Sequence, residues 1–398
     1  MLDLKVTDAL FALLRTVFKP DAEFTDADAS IIRANLDDIY KVCKRNDIAH
    51  LVGHALEKHG LVSPDDKIFT SFQKRQYIAQ FRYEGMEYEI SRVRELFESC
   101  KIQFILLKGA AIRKYYPEGW MRTSGDVDVL VHREDLERAE ELFITRLGYE
   151  TGVATDHDRS FETEGGIHIE LHFSLMEDGK ARDSHSVLDN VWDEAHPVRE
   201  NSFECEISEE MFYCYHIAHL AKHMRGAGAG IRPFMDLWLM NTNFQYDREK
   251  QKEFMQRCSL ELFAALCDEL SEYWFGQGRE LSPQANKLAL FVLNCGIYGS
   301  EENRIVLQRK DNGSTLDYIR SRLFYPRSEI ERIYPFTKKH KWLIPFCHMH
   351  RWSKVLTGRK TKKAIKEIKI SRETTKKDIA EMRSFMVEMG IEKDGKES

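Results

Sequence analysis

The chain has 398 residues, of which 42% are hydrophobic and 31% charged; these are the proportions of an ordinary soluble globular protein with roughly two or three domains. With 59 Lys and Arg against 65 Asp and Glu, the formal net charge is −6. This balance excludes a protein that binds nucleic acid through its overall charge, so such binding would need a local basic segment.

The first hundred residues predict helices. Apolar residues recur three and four positions apart within 9–14, 36–42 and 48–56, which is the period of an amphipathic helix. We therefore predict an N-terminal helical region over residues 1–100.

Short apolar runs then alternate with helical patterns. The predicted elements are a strand over 102–107, a brief helix over 110–116, a strand over 126–131, a helix over 134–147, and strands over 149–153 and 166–174. This alternation predicts a small α/β domain over residues 101–205.

Helical spacing returns within 211–224, 233–242, 250–275 and 283–293 and predicts a C-terminal helical domain over 206–355.

Residues 353–377 then hold ten Lys or Arg against two Glu, which gives this segment a charge of +8 and leaves −14 for the rest of the chain. We predict a charged tail over 356–398, helical or disordered. The pattern leaves open whether the tail binds RNA, an anionic lipid surface or nothing. Aromatic and cationic residues within 341–352 are compatible with peripheral membrane contact, although packing on the helical domain is simpler.

Eight cysteines are spread along the chain without a C-x-x-C pair. They predict reduced, packed thiols rather than a disulfide framework or a zinc knuckle. The N-terminus has no signal-peptide pattern, and no uninterrupted apolar run reaches the ~18 residues of a membrane span. We expect a cytoplasmic protein without a transmembrane segment.

The strongest functional signal is the run Gly-Asp-Val-Asp-Val-Leu-Val at 125–131. Successive side chains on a strand point to opposite faces, so Asp126 and Asp128 share one face. Asp is a poor strand former, which makes two of them in such a run hard to explain by folding alone. Two carboxylates on one face suit a Mg²⁺ ion that handles phosphates.

Glu170 is the candidate for a third carboxylate. The run 167–173 alternates, with His168, Glu170 and His172 on one face and apolar residues on the other. A strand beside the Asp strand would bring Glu170 close to the aspartates, where it could bind the metal or act as a base for an acceptor hydroxyl. An exposed position without a catalytic role is the other interpretation of Glu170.

The succession of Leu-Leu-Lys-Gly-Ala at 106–110, Arg122, the Asp strand and Ile-Glu-Leu-His at 169–172 resembles the uncharacterised nucleotidyltransferase family of the polymerase-beta-like nucleotidyltransferase superfamily. The resemblance extends over residues 1 to about 355. It implies an α+β fold, mostly helical overall, in which helical regions flank a small mixed-sheet nucleotidyltransferase core. It also implies an acidic triad that binds metal, matched here by Asp126, Asp128 and Glu170.

The resemblance further implies a turn after the first strand that contacts the triphosphate, matched here by Lys108 and Gly109. The superfamily's turn usually ends in Gly-Ser or Gly-Gly, whereas Ala110 follows Gly109 in this chain. A hydroxyl contact to phosphate is therefore absent at residue 110, and the charge of Lys108 could compensate for it.

Several other residues have more than one interpretation. Arg122 could contact phosphate or pair with an acid. His216, His219 and His223 share one helical face, which fits packing, contact with the nucleotide or, less simply, zinc. Arg232 and Asp236, four residues apart, suggest a salt bridge within a helix. The candidate nucleotide-binding residues are Lys108, Gly109, Arg122, His172 and His223.

The leading hypothesis is a Mg²⁺-dependent enzyme, with Mn²⁺ as a substitute, that moves a nucleoside monophosphate from a nucleoside triphosphate such as ATP to an acceptor and releases pyrophosphate. The acceptor is open between a sugar or other small molecule, a protein hydroxyl and a tRNA end. Two alternatives are a catalytically weak nucleotide-binding or scaffolding module and an RNA-binding protein that uses the basic tail.

Overall fold

The computed structural model describes residues 3–177, 182–276, 278, 280–296, 299–312, 314–357 and 360–393. The chain is mostly helical and contains one seven-stranded mixed sheet, which confirms the predicted α+β class. Within the described ranges, no helix combines the length and the apolarity needed to cross a bilayer.

The α-helices are α1 (Leu4–Phe18), α2 (Asp26–Ala34), α3 (Leu36–Arg45), α4 (Ala49–Lys58), α5 (Lys67–Cys100), α6 (Lys108–Ile112), α7 (Leu136–Arg146), α8 (His185–Leu188), α9 (Glu209–Gly226), α10 (Arg232–Asn243), α11 (Arg248–Arg257), α12 (Glu261–Phe275), α13 (Pro283–Asn294), α14 (Glu301–Asn312), α15 (Thr315–Leu323), α16 (Arg327–Ile333), α17 (Ile344–Thr357), α18 (Lys360–Glu373) and α19 (Lys376–Glu388). The strands are β1 (Phe104–Leu106), β2 (Asp126–Val131), β3 (Glu150–Ala154), β4 (Asp158–Glu162), β5 (His168–His172), β6 (Ala195–Pro197) and β7 (Glu204–Ile207).

The chain forms two compact units. The first comprises Met1–Lys222 and Ala229–Ile297, and the second comprises His223–Gly228 and Tyr298–Ser398. All seven strands belong to the first unit. The four regions predicted from the sequence follow changes in sequence pattern rather than compactness, and that division stays a prediction.

The strands of the sheet lie in the order β3-β4-β5-β2-β1-β7-β6. At its centre, β2 pairs in parallel with β5 and antiparallel with β1. One face of the sheet packs on α5 and α7, where valines of β2, Ile169 and Leu171 join a buried cluster that includes Phe97 and Phe143. Because side chains alternate along a strand, the polar residues of β2 and β5 are left on the opposite face.

The structure corrects the predicted strands in two respects. The predicted strand over 166–174 is shorter, because Gly166 has a φ of +72° and belongs to a turn before β5. The strands β4, β6 and β7 were not predicted, and β4 joins β5 as an antiparallel hairpin partner. The predicted helix over 250–275 is two helices, α11 and α12.

In the second unit, the described part of the predicted tail is helical, as α18 and α19. Hydrogen bonds at buried residues hold the helix α18 against the rest of this unit. Glu367 accepts hydrogen bonds from Arg304 and Arg322, and the guanidinium of Arg309 donates to the carbonyl of Ser371. The predicted tail residues 358–359 and 394–398 lie outside the described residues.

Seven of the eight cysteines are buried and Cys100 is partly exposed. This agrees with the prediction that the thiols are packed, and their reduced state stays a prediction.

Candidate functional site

Three carboxylates lie on one face of the sheet. In the parallel pairing of β2 with β5, Asp128 lies opposite Glu170, and Asp126 lies opposite His168. Asp126 and Asp128 are two residues apart and so share this face. Ligand atoms of Asp128, Glu170 and His172 lie within 4.8 Å of one another. The structure therefore brings Asp128 and Glu170 together with His172, whereas Asp126 shares their face of the sheet but is not among these ligand atoms.

Asp128 is the most constrained of the three. Its carboxylate is buried, with 1% of the side chain exposed, and its Oδ1 accepts hydrogen bonds from Lys108 Nζ at 2.6 Å and His172 Nε2 at 2.8 Å. Burial alone would raise the pKa of Asp128, but these two donors outweigh it and hold the pKa below its usual range. The second oxygen, Oδ2, is buried without a hydrogen-bond partner among the described residues, so it has an unused lone pair.

The ionised form of Asp126 is disfavoured, unlike that of Asp128. The neighbouring Asp128 carboxylate, followed by burial, raises the pKa of Asp126 to about 6. The hydroxyl of Ser124 lies 3.3 Å from its Oδ1. Two like charges on neighbouring positions of one face favour a proton or a cation near them, and a cation would satisfy both carboxylates at neutral pH.

Glu170 is the most accessible of the three, with 25% of its side chain exposed. Its two oxygens lie 3.4 Å from His172 Nε2 and 3.5 Å from His168 Nε2. The hydrogen bond from His172 is the main reason why the pKa of Glu170 is lowered. Burial lowers the pKa of His172, but its hydrogen bonds to Asp128 and Glu170 raise it by more.

The predicted Lys-Gly turn lies beside this cluster. Lys108 begins α6 directly after β1, with a left-handed φ of +45° that residues with a side chain rarely adopt. At Gly109, an added Cβ would lie 3.1 Å from the Ser124 hydroxyl and 3.4 Å from Arg122 Nη1. The turn therefore packs closely against the segment that leads into β2. Ser124, which the sequence analysis did not single out, places a hydroxyl beside Gly109 where residue 110 has none.

Arg122 makes a bidentate ion pair with Asp236. Its Nε and Nη2 each lie 2.7 Å from a carboxylate oxygen, and Tyr116 donates to the same carboxylate at 2.6 Å. The suggested salt bridge between Arg232 and Asp236 within one helix is wrong, because Arg232 Nη1 instead lies 3.2 Å from Asp47 Oδ2. The structure thus shows Arg122 paired with an acid, and a contact of Arg122 with phosphate stays a prediction.

The three histidines of α9 fall in different places. His216 donates from Nε2 to the carbonyl of Pro233 at 2.9 Å, and burial lowers its pKa. The ring of His219 lies 5.9 Å from that of Tyr215. His223 is part of the second unit, and its predicted role in nucleotide binding stays a prediction.

Comparison with known proteins adds one positive result. A family model described as uncharacterised nucleotidyltransferase matches residues 33–276, which is more than half of the chain. The matched segment includes β1, β2, β5 and every residue of the acidic cluster. No curated protein and no solved structure is similar enough to count as a match.

Proposed function

The chain belongs to the uncharacterised nucleotidyltransferase family, and from that membership we propose that it transfers a nucleoside monophosphate from a nucleoside triphosphate to an acceptor hydroxyl. An oxygen of the acceptor forms a bond to the α-phosphorus, the bond to the pyrophosphate oxygen breaks, and the acceptor proton passes to a carboxylate. The acceptor class stays open between a small molecule, a protein hydroxyl and a tRNA end.

The unpaired Oδ2 of Asp128 is the observation that carries the proposal. Asp128 is buried between two hydrogen-bond donors that use only Oδ1, while Asp126 and Glu170 offer further oxygens on the same face. Hard anionic oxygens are the ligands that Mg²⁺ prefers, usually one or two carboxylates with water and substrate phosphates. The residues present therefore fit a Mg²⁺ ion, or Mn²⁺ in its place.

When bound, such an ion would polarise the phosphate oxygens and offset the charge that develops during transfer. Asp126, Asp128 and Glu170 would hold it. Glu170 is also the candidate to accept the acceptor proton, because it is the most accessible carboxylate of the three.

Lys108 would bind the triphosphate. Its ammonium group has three N–H donors, of which one is used by Asp128. With 23% of the side chain exposed, the other donors can reach a phosphate oxygen. The hydrogen bond to Asp128 also holds the ammonium group at the metal-binding carboxylates, so that phosphate and metal would be bound next to each other. Gly109, which cannot carry a Cβ without crowding Ser124, would let a phosphate approach the backbone closely.

The test is a transfer assay with each of the four triphosphates, labelled at the α-phosphate, in Mg²⁺ or Mn²⁺ with panels of small-molecule, protein and tRNA acceptors. We expect pyrophosphate release with transfer of label, and its loss in Asp126→Asn and Asp128→Asn. Glu162→Gln is the matched control, because it removes an exposed carboxylate from the neighbouring strand β4. Triphosphate binding without pyrophosphate release would instead support the non-catalytic nucleotide-binding alternative.

A further inference from the structure

A second group of metal-ligating side chains lies on the other side of His172. In the hairpin of β4 with β5, Asp158 is paired with His172, and His157 directly precedes Asp158. All three residues are buried. Each offers one ligand atom, and these atoms lie within 4.8 Å of one another. The rings of His157 and His172 are 5.7 Å apart.

The hydrogen bonds of His172 decide which of its nitrogens carries a proton. Its Nε2 lies 2.8 Å from Asp128 Oδ1 and 3.4 Å from Glu170 Oε2. Both are acceptors, so Nε2 carries the hydrogen. In the neutral ring Nδ1 then has a lone pair, and this buried atom has no hydrogen-bond partner among the described residues. His172 therefore presents an unused electron-pair donor.

The same argument applies to His157. Its Nδ1 lies 3.0 Å from Asp156 Oδ1, which can only accept, and 2.9 Å from the Thr155 hydroxyl, whose own hydrogen is directed at Asp158 Oδ1, so Nδ1 carries the hydrogen. The lone pair of Nε2 is then left beside Asp158 Oδ2 at 3.2 Å. Thr155 donates to the other oxygen of Asp158, at 2.8 Å. A lone pair and a carboxylate oxygen repel each other unless a proton or a cation lies between them.

The geometry points to a transition-metal site of the zinc class, formed by His157 Nε2, Asp158 Oδ2 and His172 Nδ1, with a fourth position open to water. Two imidazoles and one carboxylate suit Zn²⁺ better than Mg²⁺. Two ligands about 2.1 Å from a tetrahedral zinc ion lie roughly 3.4 Å apart, close to the 3.2 Å between His157 Nε2 and Asp158 Oδ2.

The outer contacts of the two histidines support this assignment. A histidine that binds metal usually donates its other N–H to a carboxylate, which fixes the tautomer of the ring. Asp156 serves His157 in this way, and Asp128 serves His172. A bound zinc ion would thus hold His172 with its Nε2–H directed at Asp128, which belongs to the site proposed for nucleotidyl transfer. The zinc site is a separate proposal and does not depend on that reaction.

The experiment measures zinc binding directly. Protein stripped with a chelator is titrated with Zn²⁺ in competition with a chromogenic chelator, in excess Mg²⁺, and Co²⁺ is used as a spectroscopic substitute. We expect about one zinc per chain, together with visible Co²⁺ absorption from a site with nitrogen ligands.

Three variants distinguish this site from others. His157→Gln should abolish binding, and Asp156→Asn should weaken it by ~10–100-fold, the usual effect of removing an outer carboxylate. Asp156 has 49% of its side chain exposed, so this second variant tests the site even where His157→Gln fails to fold. His185→Gln should change nothing, since it removes a partly exposed histidine with a similar carboxylate contact at 3.0 Å.

Failure to bind stoichiometric zinc, or equal binding by wild type and His157→Gln, would overturn the proposal. Asp126→Asn separates the two proposals, because it should abolish nucleotidyl transfer and leave zinc binding intact.

Discussion

Replacing Asp126 with asparagine should stabilise the metal-free protein while it removes activity. The Asp128 carboxylate and burial raise the pKa of Asp126 from 3.8 to about 6. The folded state therefore binds more protons than the unfolded state between these values, and stability falls as the pH rises through this window. Above pH 6 the charge repulsion is fully present, and asparagine, which has no charge, would abolish it.

The size of the effect follows from the pKa shift. A rise of the Asp126 pKa from 3.8 to about 6 corresponds to about 3 kcal/mol at most, and some of this is lost because asparagine fits the Ser124 contact less well. We expect a net gain of about 1–3 kcal/mol at pH 8, or about 1–4 °C in Tm for a chain of 398 residues. Near pH 4 the gain should disappear, because Asp126 is then protonated in the folded state.

Thermal unfolding in a chelator at pH 8 and pH 4 measures the difference. Added Mg²⁺ should raise the Tm of the wild type and change the variant much less, because the variant lacks one of the carboxylates that bind the ion. Glu162→Gln serves again as the control and should leave both responses unchanged. A lower Tm for metal-free Asp126→Asn at pH 8 would refute the claim that crowded carboxylates destabilise the empty site.

Three further predictions concern the same cluster. Lys108→Met should lower the free energy of unfolding by about 3 kcal/mol, because it leaves the buried Asp128 charge with one partner fewer; chemical denaturation measures this, and an unchanged midpoint would contradict it. Arg122→Lys should lower the free energy of unfolding by about 2 kcal/mol, because lysine cannot make the bidentate pair with Asp236. Weaker triphosphate binding at an unchanged Tm would instead assign Arg122 to phosphate binding. The affinity for Mg²⁺ should fall by about tenfold per pH unit below pH 6, as a proton competes with the ion at Asp126, and titration calorimetry at pH 7.5 and pH 5 would show a flat profile if this is wrong.

The acidic cluster was accessible to sequence analysis because alternation along a strand is a local property. Asp126 and Asp128 had to share a face, and so did Glu170 and His172. Only the parallel pairing of β2 with β5, which the sequence does not encode locally, brings Glu170 opposite Asp128.

The ion pairs of the site could not be predicted in the same way. Arg122 and Asp236 come from distant segments, and their pairing depends on how α10 packs near the β2 entrance. The spacing of Arg232 and Asp236 suggested a simpler pair, but tertiary contacts gave each residue a different partner.

The second histidine-carboxylate group was missed because β4 was missed. Its sequence, Asp-Arg-Ser-Phe-Glu, is too polar to indicate a strand by apolar alternation. The usable signal was Gly165-Gly166, a dipeptide typical of hairpin turns. A two-residue turn at this dipeptide would have paired Asp158 with Phe173, whereas the observed loop of three residues, 164–166, is centred on Gly165 and pairs Asp158 with His172.

A crystal structure with Mn²⁺ and a non-hydrolysable nucleoside triphosphate analogue tests the central claim most directly, because anomalous scattering locates the metal independently of any assumed acceptor. The account predicts an anomalous peak within about 2.0–2.4 Å of oxygens of Asp126 and Asp128, next to the triphosphate, with Glu170 in the same coordination sphere or one water away. A triphosphate bound elsewhere, or Mn²⁺ density away from these carboxylates, would contradict it.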